Sequence, residues 1–311
     1  MDKLRISVLG DGGWGTTLAI LLSRKNYPVT LWGAFDNYTK LMAKSRRNPR
    51  FLTGIRIPRE IEITSDLKKA VSNKDIIVLA IPSQYTRGIL KRIKGNFGNN
   101  TIFLSVTKGI EIKSSKRISE IVRAQLGPVK LAVLSGPTIA GEVAKGIPTT
   151  CVVASTNKEI RRLLQRVFST ERFRVYTNSD VIGVELGGSL KNVIAIACGV
   201  SDGLGFGTNT KAAILARGLA EISRLGKAMG ANPETFSGIS GLGDLVTTCI
   251  SKQSRNRFVG EQIGKGNSLK SISKHMQMVA EGVPTAKAAY ALSKKYKVDM
   301  PITKEVYGLL Y

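Results

Sequence analysis

Histidine is nearly missing from this chain. A single one, His275, occurs in 311 residues. It lies in the polar stretch Lys270-Ser-Ile-Ser-Lys-His-Met-Gln277, with no acid or glycine turn beside it, so a surface residue is expected there. Cysteine is also sparse: Cys151, Cys198 and Cys249 are odd in number and widely spaced. That pattern excludes a disulfide framework and, with one histidine, a zinc site. Reduced, mostly buried thiols are expected, and no metal.

Long hydrophobic runs are absent as well, and the mean hydropathy is 0.00. The most apolar stretch, Val184 to Val200, carries Glu185 and Lys191, so stable membrane insertion is not expected. The apolar run after Met1 is only Leu4 to Leu9 and ends in glycines, unlike a secretory leader, which makes a cytoplasmic location the expectation. Acids are scarce, 22 against 47 Lys plus Arg for a formal charge of +25. Such a balance suits a nucleic-acid binder or an enzyme of anionic substrates. The basic residues, however, come in scattered pairs such as Arg46-Arg47 and Arg161-Arg162, and the few aromatics, 6% of the chain, are not interleaved with them. Nucleic acid is therefore not the expected partner.

Short apolar runs are present instead: Leu4 to Leu9, Val29 to Trp32, Ile76 to Ile81, Thr101 to Val106, Leu131 to Leu134, Cys151 to Ala154 and Phe173 to Tyr176. Several lack period-2 alternation, which marks strands buried on both faces of a parallel sheet. Helix-length segments separate them. The expected fold is a Rossmann-like doubly wound α/β domain over residues 1–179. From Asp180 the pattern becomes helical through Thr210 to Met229, Ser254 to Ile263 and Glu281 to Tyr296, which predicts an all-helical second domain over 180–311. The cleft between the two is the expected ligand site.

Gly10-Asp-Gly12-Gly13-Trp14-Gly15 fits G-x-G-x-x-G directly after the first strand and at the start of the helical run from Thr16 to Lys25. The first glycine permits a tight turn, the second close approach of a pyrophosphate, the third packing of helix on strand. A dinucleotide is the expected cofactor. An acid ending the second strand would hold the adenosine ribose of NAD, but that strand ends Leu31-Trp32-Gly33-Ala34-Phe35 and the first acid, Asp36, comes late. Arg46 or Arg47 could approach a 2′-phosphate. NAD and NADP both stay open.

Hydride transfer to a carbonyl needs a proton donor, and with histidine scarce a lysine is the candidate. Lys191 lies in Gly187-Gly-Ser-Leu-Lys191-Asn192 on an otherwise apolar helix, where it is either buried and paired or has a lowered pKa. Asp244, in Gly241-Leu-Gly-Asp244, is a plausible partner. Thr107-Lys108-Gly109 and Ser135-Gly136-Pro-Thr138 follow strands at the sheet end that binds ligands, and Ser254-Arg255-Asn256-Arg257 offers a guanidinium for a phosphate. Together they favour a small phosphorylated substrate.

These motifs, with Ile182-Gly-Val-Glu-Leu-Gly-Gly-Ser-Leu-Lys-Asn192, Ser201-Asp-Gly-Leu-Gly-Phe-Gly207 and Gln253 to Arg257, give the chain a full-length resemblance to bacterial NAD(P)-dependent glycerol-3-phosphate dehydrogenase. The resemblance implies interconversion of dihydroxyacetone phosphate and sn-glycerol 3-phosphate for glycerophospholipid synthesis, with a homodimer left open. It implies Lys191 as proton donor and acceptor, Lys108 touching substrate and nicotinamide, Asp244 positioning the lysine, and Asn192 and Thr248 supporting the site. Gly136, Thr138, Ser254, Arg255 and Asn256 would line the substrate, Arg255 also nearing the cofactor. Trp14, Ala140, Val279 and Glu281 would be cofactor contacts beside the glycine turn. Gly13 and Ala34 depart from the family pattern. A related dehydrogenase of sugar acids or hydroxy acids is the competing enzyme reading.

Overall fold

The computed structural model describes residues 3–276 and 279–311; the side chain of His275 lies outside the described residues, as do Gln277 and Met278. The first part runs β1 (Ile6–Leu9), α1 (Gly13–Arg24), β2 (Val29–Trp32), α2 (Asp36–Ser45), β3 (Arg47–Asn48), β4 (Leu52–Arg56), β5 (Glu62–Thr64), α3 (Leu67–Val71), β6 (Ile76–Leu79) and α4 (Ser83–Ile93). It continues with β7 (Ile102–Ser105), α5 (Ile118–Leu126), β8 (Lys130–Ser135), α6 (Ala140–Ala144), β9 (Thr149–Ala154), α7 (Lys158–Phe168) and β10 (Phe173–Asn178). Eight strands form one sheet in the order β10-β9-β8-β7-β6-β1-β2-β5, and β3 pairs with β4 in a separate ribbon.

The apolar runs become central strands because successive residues enter different cores. Ile6 and Val8, Ile76 and Val78, Ile102 and Leu104 pack on one side, whereas Leu9, Ile77, Leu79 and Phe103 pack on the other. With helices on both faces no position needs to be polar, which is why the runs do not alternate.

The expectation of a parallel sheet needs one correction. β9 pairs antiparallel with β8, and β10 pairs parallel with β9, so these two strands run against the other six. Only the five-residue α6 separates β8 from β9. A parallel partner requires a long crossover, and an antiparallel one can be reached by a shorter return. β10 then follows a full helical crossover through α7. The ribbon of β3 and β4 and the edge strand β5 carry no apolar signature, and only the structure reveals them.

Helices alone follow among the described residues: α8 (Val181–Gly203), α9 (Thr208–Ala228), α10 (Glu234–Ser237), a π-helical turn (Ile239–Gly243), α11 (Asp244–Ile250), α12 (Arg255–Gly264), α13 (Leu269–His275), α14 (Gly282–Tyr296) and α15 (Pro301–Leu310). Asp180 caps α8 by accepting from the Gly183 amide at 2.8 Å. By length and composition α8 could cross a membrane, but 83% of its most apolar window is buried inside the protein, wrapped by α9, α11, α12 and α14.

α8 and α12 meet backbone to backbone. A Cβ on Gly199 would overlap the Arg257 carbonyl, and one on Gly260 the Ile196 carbonyl; Gly203 and Gly264 repeat this a turn further along. Glycines four residues apart share a helix face, so each helix presents a groove to the other. Gly260→Ala is expected to force the helices apart and lower stability by about 1–3 kcal/mol, read as a fall in urea midpoint. An unchanged midpoint would show that the seam has slack.

Candidate active site

The glycine turn sits where the strand order reverses. β1 lies between β2 and β6, and the carboxyl ends of β1 and β6 open a crevice there. Gly10 has φ +120°, and a Cβ on it would overlap the Ala80 carbonyl after β6. Gly12 has nothing within 4 Å of its Cβ position, and a Cβ on Gly15 would overlap the Gly10 carbonyl. These are the three roles expected of a turn that holds a pyrophosphate, with the α1 N-terminus facing the open side. At Gly13 a Cβ would lie 2.5 Å from the Phe51 carbonyl oxygen, so the departure at this position is matched to the nearby β4. Ala140 lies beside the turn and accepts from Thr17 Oγ1 at 3.1 Å. The Trp14 indole packs against Phe173, ring centres 6.3 Å apart. Neither arginine considered for a 2′-phosphate is committed to the turn: Arg46 donates to the carbonyls of Ile61 and Arg59, and Arg47 is exposed.

Lys191 is buried on α8, and its Nζ donates to Asp244 Oδ1 at 2.5 Å and to Thr248 Oγ1 at 2.6 Å. Asp244 Oδ2 accepts from Lys108 Nζ at 2.9 Å, and the same ammonium donates to the Gly136 carbonyl at 2.7 Å and to Thr138 Oγ1 at 3.1 Å. One buried carboxylate thus bridges two lysines. Burial, helped by the Lys108 charge and opposed by Asp244, pushes the Lys191 ammonium down to about 8, which suits proton exchange near neutral pH.

The sequence around Lys191 explains how these groups meet. Gly187 leaves room for the Ser240 backbone, a Cβ there lying 2.6 Å from its carbonyl oxygen. A Cβ on Gly188 would run into Ser135 Oγ, with Lys108 Cγ at 3.6 Å. The paired glycines thin one face of α8, so the π-helical turn before Asp244 and the stem of Lys108 can approach the helix one turn below the lysine.

The substrate residues named from sequence fall around this core. Asn192 Nδ2 donates to the Lys108 carbonyl at 3.1 Å, and its Oδ1 accepts from Asn256 Nδ2 at 2.9 Å. Asn256 Oδ1 in turn accepts from the Gly282 amide at 2.8 Å, joining α8, α12 and α14. Ser254 caps α12 by accepting from the Arg257 amide. Arg255 is exposed at the cleft and donates to the Val279 carbonyl at 2.8 Å, which puts these two side by side. Glu281 reaches across to the sheet, accepting from the Ser83 amide at 2.8 Å and from Ser83 Oγ at 2.5 Å. Burial raises its carboxyl above the usual range.

Sequence reading missed Ser83 and Asn48, the latter donating to the Asp11 carbonyl from beyond α2. Their partners lie 198 and 37 residues away, and no local pattern marks them. The three cysteines are buried, as expected.

A dinucleotide turn at a sheet crevice, facing a bundle that buries a lysine paired with an aspartate, defines a nicotinamide-dependent dehydrogenase acting on a CH–OH group. The family model for the N-terminus of NAD-dependent glycerol-3-phosphate dehydrogenase matches residues 5–161 and that for its C-terminus residues 180–311, and the chain belongs to this family. It is 50% identical over 309 residues to glycerol-3-phosphate dehydrogenase [NAD(P)+] of Prosthecochloris aestuarii, covering 98% of this chain and 93% of the relative. It is also 50% identical to the Thermoanaerobacter sp. enzyme of that name, at 99% and 93% coverage. Among solved structures, glycerol-3-phosphate dehydrogenase from Coxiella burnetii superposes with a TM-score of 0.97 at 39% identity, covering 99% of this chain and 95% of that one.

Proposed function

We propose that the chain interconverts dihydroxyacetone phosphate and sn-glycerol 3-phosphate in the cytoplasm for glycerophospholipid synthesis, with 1–179 as the dinucleotide domain and 180–311 as the catalytic domain. The observation that carries this is the buried Lys191–Asp244–Lys108 bridge beside the glycine turn.

The open face at Gly12 and the bare backbone of the turn fit a pyrophosphate. Gly10, Gly12, Gly13 and Gly15 would hold it, with Trp14, Ala140, Lys108, Arg255, Val279 and Glu281 nearby. When bound, the nicotinamide supplies or accepts the hydride. In the reducing direction Lys191 gives its proton to the carbonyl oxygen as the carbon is reduced, and the neutral amine regains one from solvent. In the oxidising direction the neutral amine takes the proton from the hydroxyl. Lys108 polarises the same oxygen, and Asp244 and Thr248 hold the lysine in line. Arg255, Ser254, Asn256, Gly136 and Thr138 orient the phosphate and hydroxyl.

Steady-state oxidation of NADH and NADPH with dihydroxyacetone phosphate, set against hydroxy-acid and sugar-acid ketones, tests the assignment. No turnover of the triose phosphate would sink it. The pH profile provides a second check. Reduction needs charged Lys191, so kcat/KM for dihydroxyacetone phosphate is expected to fall as pH rises through about 8, whereas kcat/KM for glycerol 3-phosphate rises through the same region. Parallel, flat profiles in both directions would remove Lys191 from proton transfer.

A further inference from the structure

The second strand delivers no acid to the adenosine end of the crevice. The first one after it, Asp36, has its carboxylate taken by Lys40 at 2.7 Å and by the Ser65 hydroxyl at 2.6 Å. Another carboxylate stands at the end of β2, and it comes from the glycine turn. Asp11 lies so close over Gly33 that a Cβ on Gly33 would overlap its Oδ2. That oxygen is buried and accepts from no group among the described residues. The backbone at this residue is held in place, its carbonyl accepting from Asn48 Nδ2 at 2.8 Å and from Thr16 Oγ1 at 3.2 Å.

Arg50 is the cation whose charge reaches Asp11, yet its guanidinium lies over the Tyr38 and Phe51 rings, at 5.2 and 5.8 Å from their centres. Burial raises the Asp11 carboxyl above its ordinary range. A buried acceptor without a donor is costly. The Asp11 carboxylate therefore stands, with its Oδ2 unpaired among the described residues, against Gly33, beside the strand end from which dinucleotide folds usually send an acid to the ribose hydroxyls.

We infer that Asp11 takes over that role, accepting a hydrogen bond from the adenosine ribose, and so selects the cofactor with a free 2′-hydroxyl, NAD, over NADP. The inference rests on the dinucleotide site proposed above. A 2′-phosphate at the same place would set two anions together, with the stacked Arg50 as the cation whose charge bears on Asp11, whereas a ribose hydroxyl supplies the missing donor.

Direct binding tests this without turnover, by titrating the whole protein with NADH and with NADPH and following nucleotide fluorescence. The wild-type chain is expected to bind NADH at least about tenfold more tightly, the scale of one hydrogen bond to a charged group. Asp11→Ala should weaken NADH by about tenfold or more and leave NADPH unchanged or tighter. Asp11→Asn, which keeps an acceptor without the charge, should recover part of the NADH affinity while improving NADPH. Asp36→Ala should change neither, and unchanged thermal melting shows that the variants are folded. Wild-type protein that binds NADPH as tightly as NADH overturns the inference. So does an Asp11→Ala variant that loses both nucleotides equally, which would give Asp11 a role in shaping the turn alone. Binding of neither nucleotide by the wild type would instead remove the dinucleotide site, and the inference with it.

Discussion

Lys191→Ala is expected to lower kcat for dihydroxyacetone phosphate reduction by about a hundredfold to ten-thousandfold, the range that general acid–base groups contribute, with NADH binding retained. The prediction follows from how the lysine is embedded. Its Nζ donates to Asp244 and Thr248, so truncation removes the proposed proton carrier and two hydrogen bonds. Asp244 keeps Lys108 as its counter-ion at 2.9 Å, which means that no unpaired buried charge is left to unfold the site. Lys191→Arg makes the sharper comparison. It restores the positive charge, but a guanidinium does not release its proton in the working pH range, so activity should stay low in both directions. Retention of more than about a tenth of wild-type kcat in the alanine variant would place the proton transfer elsewhere.

Glu185→Ala should be the most destabilising of these changes, at about 3–5 kcal/mol. Glu185 lies four residues into α8 and binds the sheet layer to the bundle: its Oε2 pairs with Arg117 Nη1 at 2.5 Å, and its Oε1 accepts from the Ser119 amide at 2.8 Å. Both ionic side chains are almost wholly buried, 10% and 5% exposed. Removing the acid leaves the guanidinium without its short partner, and Glu120, 3.4 Å away and 39% exposed, is a weak substitute because water screens it. Urea denaturation of the two proteins at pH 7 gives the difference directly. A loss below about 1 kcal/mol would mean that Glu120 swings in and compensates.

The strands were legible because burial on both faces writes an uninterrupted apolar run, and the glycine turn because each of its glycines answers a separate steric demand. The reversed direction of β9 was not, since a strand buried on both faces carries the same residues whichever way it runs. Arg47–Asn48 and Leu52–Arg56 form a ribbon through backbone pairing that their mostly exposed side chains do not announce. Lys191 could be singled out as a cation in an apolar helix, and the paired glycines before it reveal their purpose only against Ser240 and Ser135. Asn192, Thr248, Asn256 and Glu281 were legible through family resemblance alone, because each has a partner in a remote part of the chain. Asp11 is the instructive failure: its place in the motif reads as a filler, and only the fold shows its carboxylate arriving at the end of the second strand.

The glycine seam between α8 and α12 also bears on motion. Lys191 and Asn192 ride on one of these helices and Arg255 and Asn256 on the other, and where the backbones touch at the glycines, with Asn192 bonded to Asn256 across the junction, neither helix shifts without the other. The proton carrier and the phosphate clamp proposed above therefore form one rigid jaw. The sheet and the bundle meet instead through side chains, Glu281 reaching Ser83 and Asp244 reaching Lys108, so an opening that admits a triose phosphate would break contacts there before it loosened the seam.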